Sequence, residues 1–185
     1  MISAFIKNKD DLKNHKVRQA YGTMGGAVGI FCNILLFAGK LTAGILTGAI
    51  SITADAFNNL SDAASSIITL VGFRMAGRPA DKNHPFGHGR IEYISGLLVS
   101  LAILLMGFEL LKSSADKIFR PEDIVFRPVS IGILIVSILV KFWMSAFNKK
   151  VGNLIDSEAM KATATDSLSD CIATTAVLGG MLIFK

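Results

Sequence analysis

Five stretches of mostly apolar residues, each of about 20 residues, constrain the fold of this chain more than any other feature. They cover residues 21–48, 50–73, 91–111, 128–147 and 159–184. A helix of about 20 apolar residues crosses the hydrocarbon core of a bilayer. Charged residues make up only 18% of the 185-residue chain, against about a quarter in soluble domains, which excludes a soluble or disordered protein. We therefore predict an all-α, polytopic transmembrane bundle of five helices.

The second and fifth stretches open with polar runs, ITADAFNNLSD and EAMKATATDSLSD, that lower their hydropathy. A charged side chain at the centre of a bilayer costs about 2.5–3.5 kcal/mol even on the lenient insertion scale, so a cluster of them indicates a functional site. Asp55, Asn58 and Asp62 are spaced to share one stripe of the second helix. Asp166 and Asp170, four residues apart, share a stripe of the fifth.

The two polar runs also resemble each other, with NNLSD at 58–62 and DSLSD at 166–170. A weak repeat with matching polar positions is typical of a transporter site built from two halves. If the two helices pack side by side, four oxygen-bearing side chains converge: Asn58, Asp62, Asp166 and Asp170. Oxygen ligands favour magnesium, calcium or manganese, whereas imidazole and thiolate favour zinc and copper. We therefore predict a site for a hard divalent cation, with Asp55 as a supporting partner near the helix end.

Charge crowding in this site suggests how a cation could be exchanged. Three carboxylates in a low dielectric are not all comfortably ionised without a cation, so we expect at least one to hold a proton. The cation would then enter as protons leave. Lys40, Glu109 and Lys141 also lie within the spans, where they could form internal charge pairs, although we expect the lysines to snorkel to a membrane interface.

The loop after the second span, within PADKNHPFGHGRIE, carries a second set of metal-ligating side chains. Asp81, His84 and His88 could form a secondary metal site of mixed oxygen and nitrogen donors. Pro85 and Gly87 argue against a helix there. A solvated loop with incidental histidines is an equal alternative.

The distribution of lysine and arginine predicts the orientation of the chain. Five lie in the first twenty residues, four in the loop after the second span, two in the loop after the fourth, and four in the loop after the third. The positive-inside rule then places the N-terminus in the cytoplasm, with residues 1–20 as a segment on the membrane surface and 21–185 as the transmembrane domain. We predict a bacterial plasma (inner) membrane as the host. The net charge of +5 suits lipid, but no dense basic cluster suits nucleic acid.

Three blocks resemble the cation diffusion facilitator family of metal–proton antiporters: AGKLTAGILTGAISITADAFNNLSD, RPADKNHPFGHGRIE and SEAMKATATDSLSD. The resemblance implies efflux from the cytoplasm, a homodimer, six transmembrane helices, and in most members a cytoplasmic C-terminal domain. The sequence ends at Lys185, after the fifth span, so we expect it to represent the transmembrane portion without the sixth helix and that domain.

The family's transport site consists of one pair of four-spaced residues on the second helix and another on the fifth. Asn58 with Asp62, and Asp166 with Asp170, match these pairs. Zinc-type members carry a histidine in one or both pairs. Asn58 and Asp166 stand at those positions here, and this combination is similar to the manganese-type branch. The resemblance implies Mn²⁺ as the first choice of transported ion, Fe²⁺ as the second and Zn²⁺ as the third.

Other classes stay open on the residues alone. A membrane-embedded, metal-dependent enzyme such as a lipid-headgroup transferase also uses aspartates, but its DGxxAR block is missing. An intramembrane aspartyl protease would carry GxGD, which does not occur, and a structural membrane subunit is a further alternative. Exchange driven by a proton gradient would need no nucleotide, which is consistent with the absence of a GxxxxGK[ST] phosphate loop. We predict a transporter rather than an enzyme, with no prosthetic group.

Overall fold

The structure, a computed structural model, describes residues 15–47, 50–119 and 128–183. Within these ranges the chain forms α-helices and no strand, which confirms the all-α prediction. The five helices are α1 (His15–Thr47), α2 (Ile50–Ala76), α3 (Ile91–Phe119), α4 (Pro128–Leu154) and α5 (Glu158–Ile183). Helices α2, α3 and α4 begin at the residues that the sequence predicts. Helix α1 begins six residues before its predicted span, so the last part of the expected surface segment is helical.

Three of the described helices are long and apolar enough to cross a membrane. These spans are Lys16–Leu46 in α1, Ile91–Glu109 in α3 and Ile131–Leu154 in α4. Helices α2 and α5 have 27 and 26 residues, or about 40 Å at 1.5 Å per residue, and are equally long. Their hydropathy is lower than that of the other three helices because their first halves contain the polar runs noted in the sequence.

Large apolar side chains lie on the outside of the bundle and many polar side chains lie inside it, as expected for a protein surrounded by lipid. Large apolar side chains such as Phe31, Leu104, Phe108, Leu139 and Ile172 are exposed on the outside of the bundle. The buried side chains include many polar and charged ones, most of them from α1, α2, α4 and α5. Since hydrocarbon cannot solvate polar groups, the exterior fits lipid and the interior gathers the polar chemistry.

Helices α1 and α2 pack very closely because glycines of α1 lie against α2. A Cβ atom added at Gly22 would meet the ring of Phe73 at 2.2 Å, and one at Gly26 would lie 2.9 Å from the backbone of Leu70. Small residues let two transmembrane backbones approach in this way. Helices α4 and α5 form the other closely packed pair, joined by the Ser145 hydroxyl, which donates to the carbonyl of Ala164 at 2.8 Å.

One end of the bundle is joined by polar contacts between helix ends. Arg18, near the start of α1, donates to the carbonyl of Ile155 after α4 and forms a salt bridge of 3.0 Å with Glu92 at the start of α3. Gln19 donates to the carbonyl of Arg74 near the end of α2. These contacts place the start of α1, the end of α2, the start of α3 and the α4–α5 turn together, as alternating spans require.

Candidate metal centre

Three aspartates from two helices meet in the interior, midway along α2 and in the first half of α5. One carboxylate oxygen each from Asp62, Asp166 and Asp170 lies within 4.8 Å of the others. Asp62 is 4% exposed and Asp166 is 9% exposed, while Asp170 is partly buried. A cation bound at roughly 2.0–2.6 Å from each oxygen requires oxygen separations below about 5 Å. The three carboxylates are therefore close enough to share one ion.

Asn58, the fourth predicted ligand, reaches the same cluster from α2. Its amide nitrogen donates to Asp170 Oδ1 at 3.5 Å, so it touches the carboxylate that lies across from it. A half-turn of the amide group about its last side-chain bond would present the carbonyl oxygen instead. The structure thus brings together all four side chains that the repeat singled out. Helices α2 and α5 touch over only a short stretch. A side chain of α4, Lys141, contacts carboxylates of both helices.

Lys141 of α4 is the residue of this cluster that sequence reasoning misplaced. Its Nζ donates to Asp62 Oδ2 at 2.6 Å and to Asp170 Oδ2 at 2.6 Å. With 2% of its surface exposed, it does not snorkel to an interface, and the expectation of snorkelling is wrong. In the predicted span 128–147 Lys141 lies only six residues from the end, but α4 continues to Leu154 and places Lys141 13 residues from either end, or about 20 Å at 1.5 Å per residue.

Asp55, predicted to support the site, has a different partner. Lys40 of α1 is 3% exposed, and its Nζ lies 2.8 Å from Asp55 Oδ2. Asp55 lies seven residues before Asp62, about 10 Å along the helix at 1.5 Å per residue. The pair joins α1 to α2, and the expectation that Lys40 snorkels is also wrong. Asp55 is therefore a helix-pairing residue in this structure.

The loop between α2 and α3 brings Asp81, His84 and His88 together at one end of the bundle. Each offers a ligand atom within 4.8 Å of the other two. Asp81 Oδ1 lies 3.2 Å from His84 Nδ1, and Asp81 Oδ2 lies 3.4 Å from His88 Nε2. The backbone N–H of His84 donates to Asp81 at 2.7 Å, which lowers the pKa of that exposed carboxyl. Gly87, with φ of 80°, permits the turn between the two histidines.

A buried oxygen without a hydrogen-bond partner also supports a cation in the intramembrane cluster. Among the described residues, Asp62 Oδ1 is a buried oxygen with no hydrogen-bond partner. An unpaired buried acceptor costs about 1–3 kcal/mol, more for a charged group, and among the six described buried side-chain atoms without a partner Asp62 Oδ1 is the one carboxylate oxygen. A dication beside Asp62 Oδ1 would satisfy it, and the donor set of carboxylate and amide oxygens suits a hard ion.

The fold and these buried carboxylates define a class: polytopic membrane proteins with charged residues in their interior, where such residues mark ion or substrate pathways. The family model of the cation efflux transmembrane domain matches residues 27–184. The chain belongs to this family, the cation diffusion facilitators, as the three sequence blocks predicted. It is thus an integral membrane protein of a transporter family, and the enzyme alternatives are set aside.

Several relatives have similar sequences. The uncharacterized transporter MJ0449 of Methanocaldococcus jannaschii is 33% identical over 153 residues, covering 83% of this chain and 54% of the relative. The manganese efflux system protein MneS of Bacillus subtilis is 30% identical over 166 residues, covering 87% of this chain and 56% of MneS. The magnetosome protein MamB of Paramagnetospirillum magneticum is 31% identical over 150 residues, covering 80% and 49%. The chain spans about half the length of these relatives.

Proposed function

We propose that this protein exports a divalent metal cation from the cytoplasm in exchange for protons. The observation that carries the proposal is the cluster of Asp62, Asp166 and Asp170, whose oxygens lie within 4.8 Å of one another inside the bundle. Intramembrane carboxylates are costly and mark ion pathways. Membership of the cation efflux family supports the same assignment.

Manganese is the ion that we propose first, followed by Fe²⁺ and then Zn²⁺. The three carboxylates and the Asn58 amide form an oxygen donor set, which is the preference of Mn²⁺ rather than of the softer zinc. Two relatives of this chain, MneS and MneP of Bacillus subtilis, are named as manganese efflux system proteins. Their names and the ligand chemistry are independent lines of support.

Transport would proceed by alternating access. With the cytoplasmic side open, the three aspartates bind the cation, and Asn58 supplies a neutral carbonyl oxygen. Movement of the helices then exposes the site to the opposite side, where protons compete for the carboxylates and release the metal. The metal is the cargo of this cycle, so the protein needs no prosthetic group.

Orientation and assembly form part of the same proposal. The basic residues concentrate in the N-terminal segment, around the loop after α2 and at the end of α4, which favours a cytoplasmic N-terminus in a bacterial plasma membrane. Lys149 and Lys150, expected in the loop after the fourth span, lie in the last turns of α4 at the same end of the bundle. Lys7, Lys9 and Lys13 contribute to this bias and lie outside the described residues. The resemblance to the family supports a homodimer.

The loop cluster is proposed as a secondary metal site at the cytoplasmic end. Asp81, His84 and His88 supply the three ligand atoms, and neutral imidazole binds Zn²⁺ well. Equilibrium dialysis of the purified protein against Zn²⁺ tests it. We expect Asp81→Ala with His88→Ala to bind one metal fewer per chain than the wild type. An unchanged stoichiometry would show that the loop is an ordinary solvated turn.

Proteoliposomes with an imposed proton gradient test the main proposal. We expect Mn²⁺ uptake by the wild type to collapse when an ionophore dissipates the gradient, and to be lost in Asp62→Ala and Asp170→Ala. Asp55→Asn is the matched control, because it removes an α2 carboxylate outside the cluster, and it should retain uptake in the fraction that folds. Unchanged uptake in both alanine variants would refute the assigned site.

A further inference from the structure

The carboxylate cluster contains a positively charged side chain, the ammonium group of Lys141. Lys141 projects from the middle of α4, and its ammonium bridges two carboxylates, Asp62 on α2 and Asp170 on α5, at 2.6 Å from each. Both contacts are short charge-assisted hydrogen bonds. The ammonium therefore occupies one oxygen on each of two of the three carboxylates that a metal would share.

A dication and the ammonium cannot hold this bridging position together. A metal bound at roughly 2.0–2.6 Å from Asp62 Oδ2 and Asp170 Oδ2 would lie in the space that Lys141 Nζ fills, and a metal bound to the other oxygen of each carboxylate would still lie close to the ammonium. Two like-charged centres that close repel strongly in a low-dielectric interior. A metal bound to Asp62 and Asp170 therefore competes with the two contacts of Lys141, through the shared oxygens or through charge repulsion.

We infer that Lys141 is the resident counter-ion of the transport site, which a dication displaces when it binds between Asp62 and Asp170. This inference rests on the proposed function. Without a cation, the buried carboxylates would lack compensation, at a cost of several kcal/mol per ion. Lys141 provides that compensation in the metal-free carrier and competes with the metal for the same oxygens.

The competing interpretation is a purely structural one, in which Lys141 ties α4 to α2 and α5. The two interpretations predict opposite changes in metal affinity when the charge is removed. Loss of a structural tie would leave the ligands less ordered and weaken metal binding. Loss of a competitor would strengthen it, because the apparent Kd equals the intrinsic Kd divided by the fraction of sites that are free to bind.

Calorimetric titration of the purified protein in detergent with Mn²⁺ decides between them. The variants are Lys141→Met and Lys141→Gln, which remove the charge, and Lys141→Arg, which keeps it. If the ammonium occupies at least nine-tenths of the empty sites, the neutral variants should bind Mn²⁺ about 10-fold more tightly or better. Lys141→Arg should bind no more tightly than the wild type. Maximal transport by the neutral variants should fall, because metal release loses its internal competitor.

Unchanged or weaker Mn²⁺ binding in the two folded neutral variants would overturn the inference. Tighter binding in Lys141→Arg would overturn it as well. Should one neutral variant fail to fold, as judged by size-exclusion chromatography, the other alone gives the result. A comparison of Mn²⁺ binding by the wild type and by Asp62→Ala separates failure of the Lys141 inference from failure of the proposed function. Binding that is present in the wild type and lost in Asp62→Ala supports the transport site, whatever Lys141 does.

Discussion

Removal of the Asp55 carboxylate should destabilise the bundle and leave metal binding intact. Asp55 lies on the same stripe of α2 as the cluster, and pattern alone makes it a part of the site. The structure instead pairs it with Lys40 of α1 at 2.8 Å. Its substitution therefore tests whether spatial neighbours, rather than helical register, decide the role of an intramembrane aspartate.

The size of the effect follows from the unequal burial of the two partners. Loss of one partner of a fully buried ion pair costs about 3–5 kcal/mol, because the other charge remains buried and uncompensated. The Lys40 side chain is 3% exposed, but that of Asp55 is 36% exposed, so solvent already screens part of the attraction. We expect Asp55→Asn to cost about 2–3 kcal/mol. At about 2–4 °C per kcal/mol for a chain of this length, Tm should fall by roughly 4–12 °C.

Thermal unfolding in detergent, followed by intrinsic fluorescence, measures this change. The double variant Lys40→Met with Asp55→Asn removes both charges and should recover most of the lost stability. In both variants the Kd for Mn²⁺ should stay within about threefold of the wild type, since a pair about 10 Å along the helix from Asp62 couples weakly to the site. A large loss of Mn²⁺ affinity with an unchanged Tm would refute the assignment of Asp55 to helix pairing.

Three further predictions follow from other contacts. Gly26→Ala should lower stability by about 1–3 kcal/mol because its Cβ would meet the backbone of α2, whereas Gly39→Ala, in open space, should be neutral or stabilising by up to about 1 kcal/mol in the same unfolding assay. Asn58→His should shift uptake in proteoliposomes from Mn²⁺ toward Zn²⁺, because imidazole is the softer ligand, and an unchanged ratio of the two ions would contradict the oxygen-site argument. Lys161 donates to Asp156 at 2.8 Å and lowers the pKa of that carboxyl below 3.8, so the pair stabilises the α4–α5 turn above about pH 4 and loses this effect as the pH falls further. Asp156→Asn should therefore lose less Tm than the wild type between about pH 5 and pH 3.

The sequence predicted the helices and the acidic cluster because both leave periodic signals. Apolar runs of bilayer length predicted the helices, and the starts of α2, α3 and α4 coincide with the predictions. Asn58, Asp62, Asp166 and Asp170 were detectable because four-residue spacing on two helices repeats a pattern. Helix bounds were less accurate, since α1 begins six residues early, where the apolar signal has already faded.

The partners of single charges could not be predicted in the same way. Lys40 and Lys141 each stand alone in an apolar run, so no spacing links either lysine to an aspartate on another helix. Snorkelling is common for a lysine near the end of a span, where the predicted spans placed both lysines, and the expectation is wrong because both have carboxylates within reach inside the bundle. Identifying those partners requires the three-dimensional packing of α1 with α2 and of α4 with α5, and the reach of the Lys141 side chain to α2.

The two contacts of Lys141 join different parts of the bundle. Helices α1 and α2 form one close pair through their glycines, and α4 and α5 form another. Asp170 lies in the same pair as Lys141, whereas Asp62 lies in the other. A relative movement of the two pairs therefore strains the bond between Lys141 and Asp62, while the bond to Asp170 can travel with its pair. A dication bound by Asp62, Asp166 and Asp170 would replace the Lys141–Asp62 contact with coordination from both pairs. If the proposed transport is correct, metal binding would thus also change how the two halves of the bundle are joined.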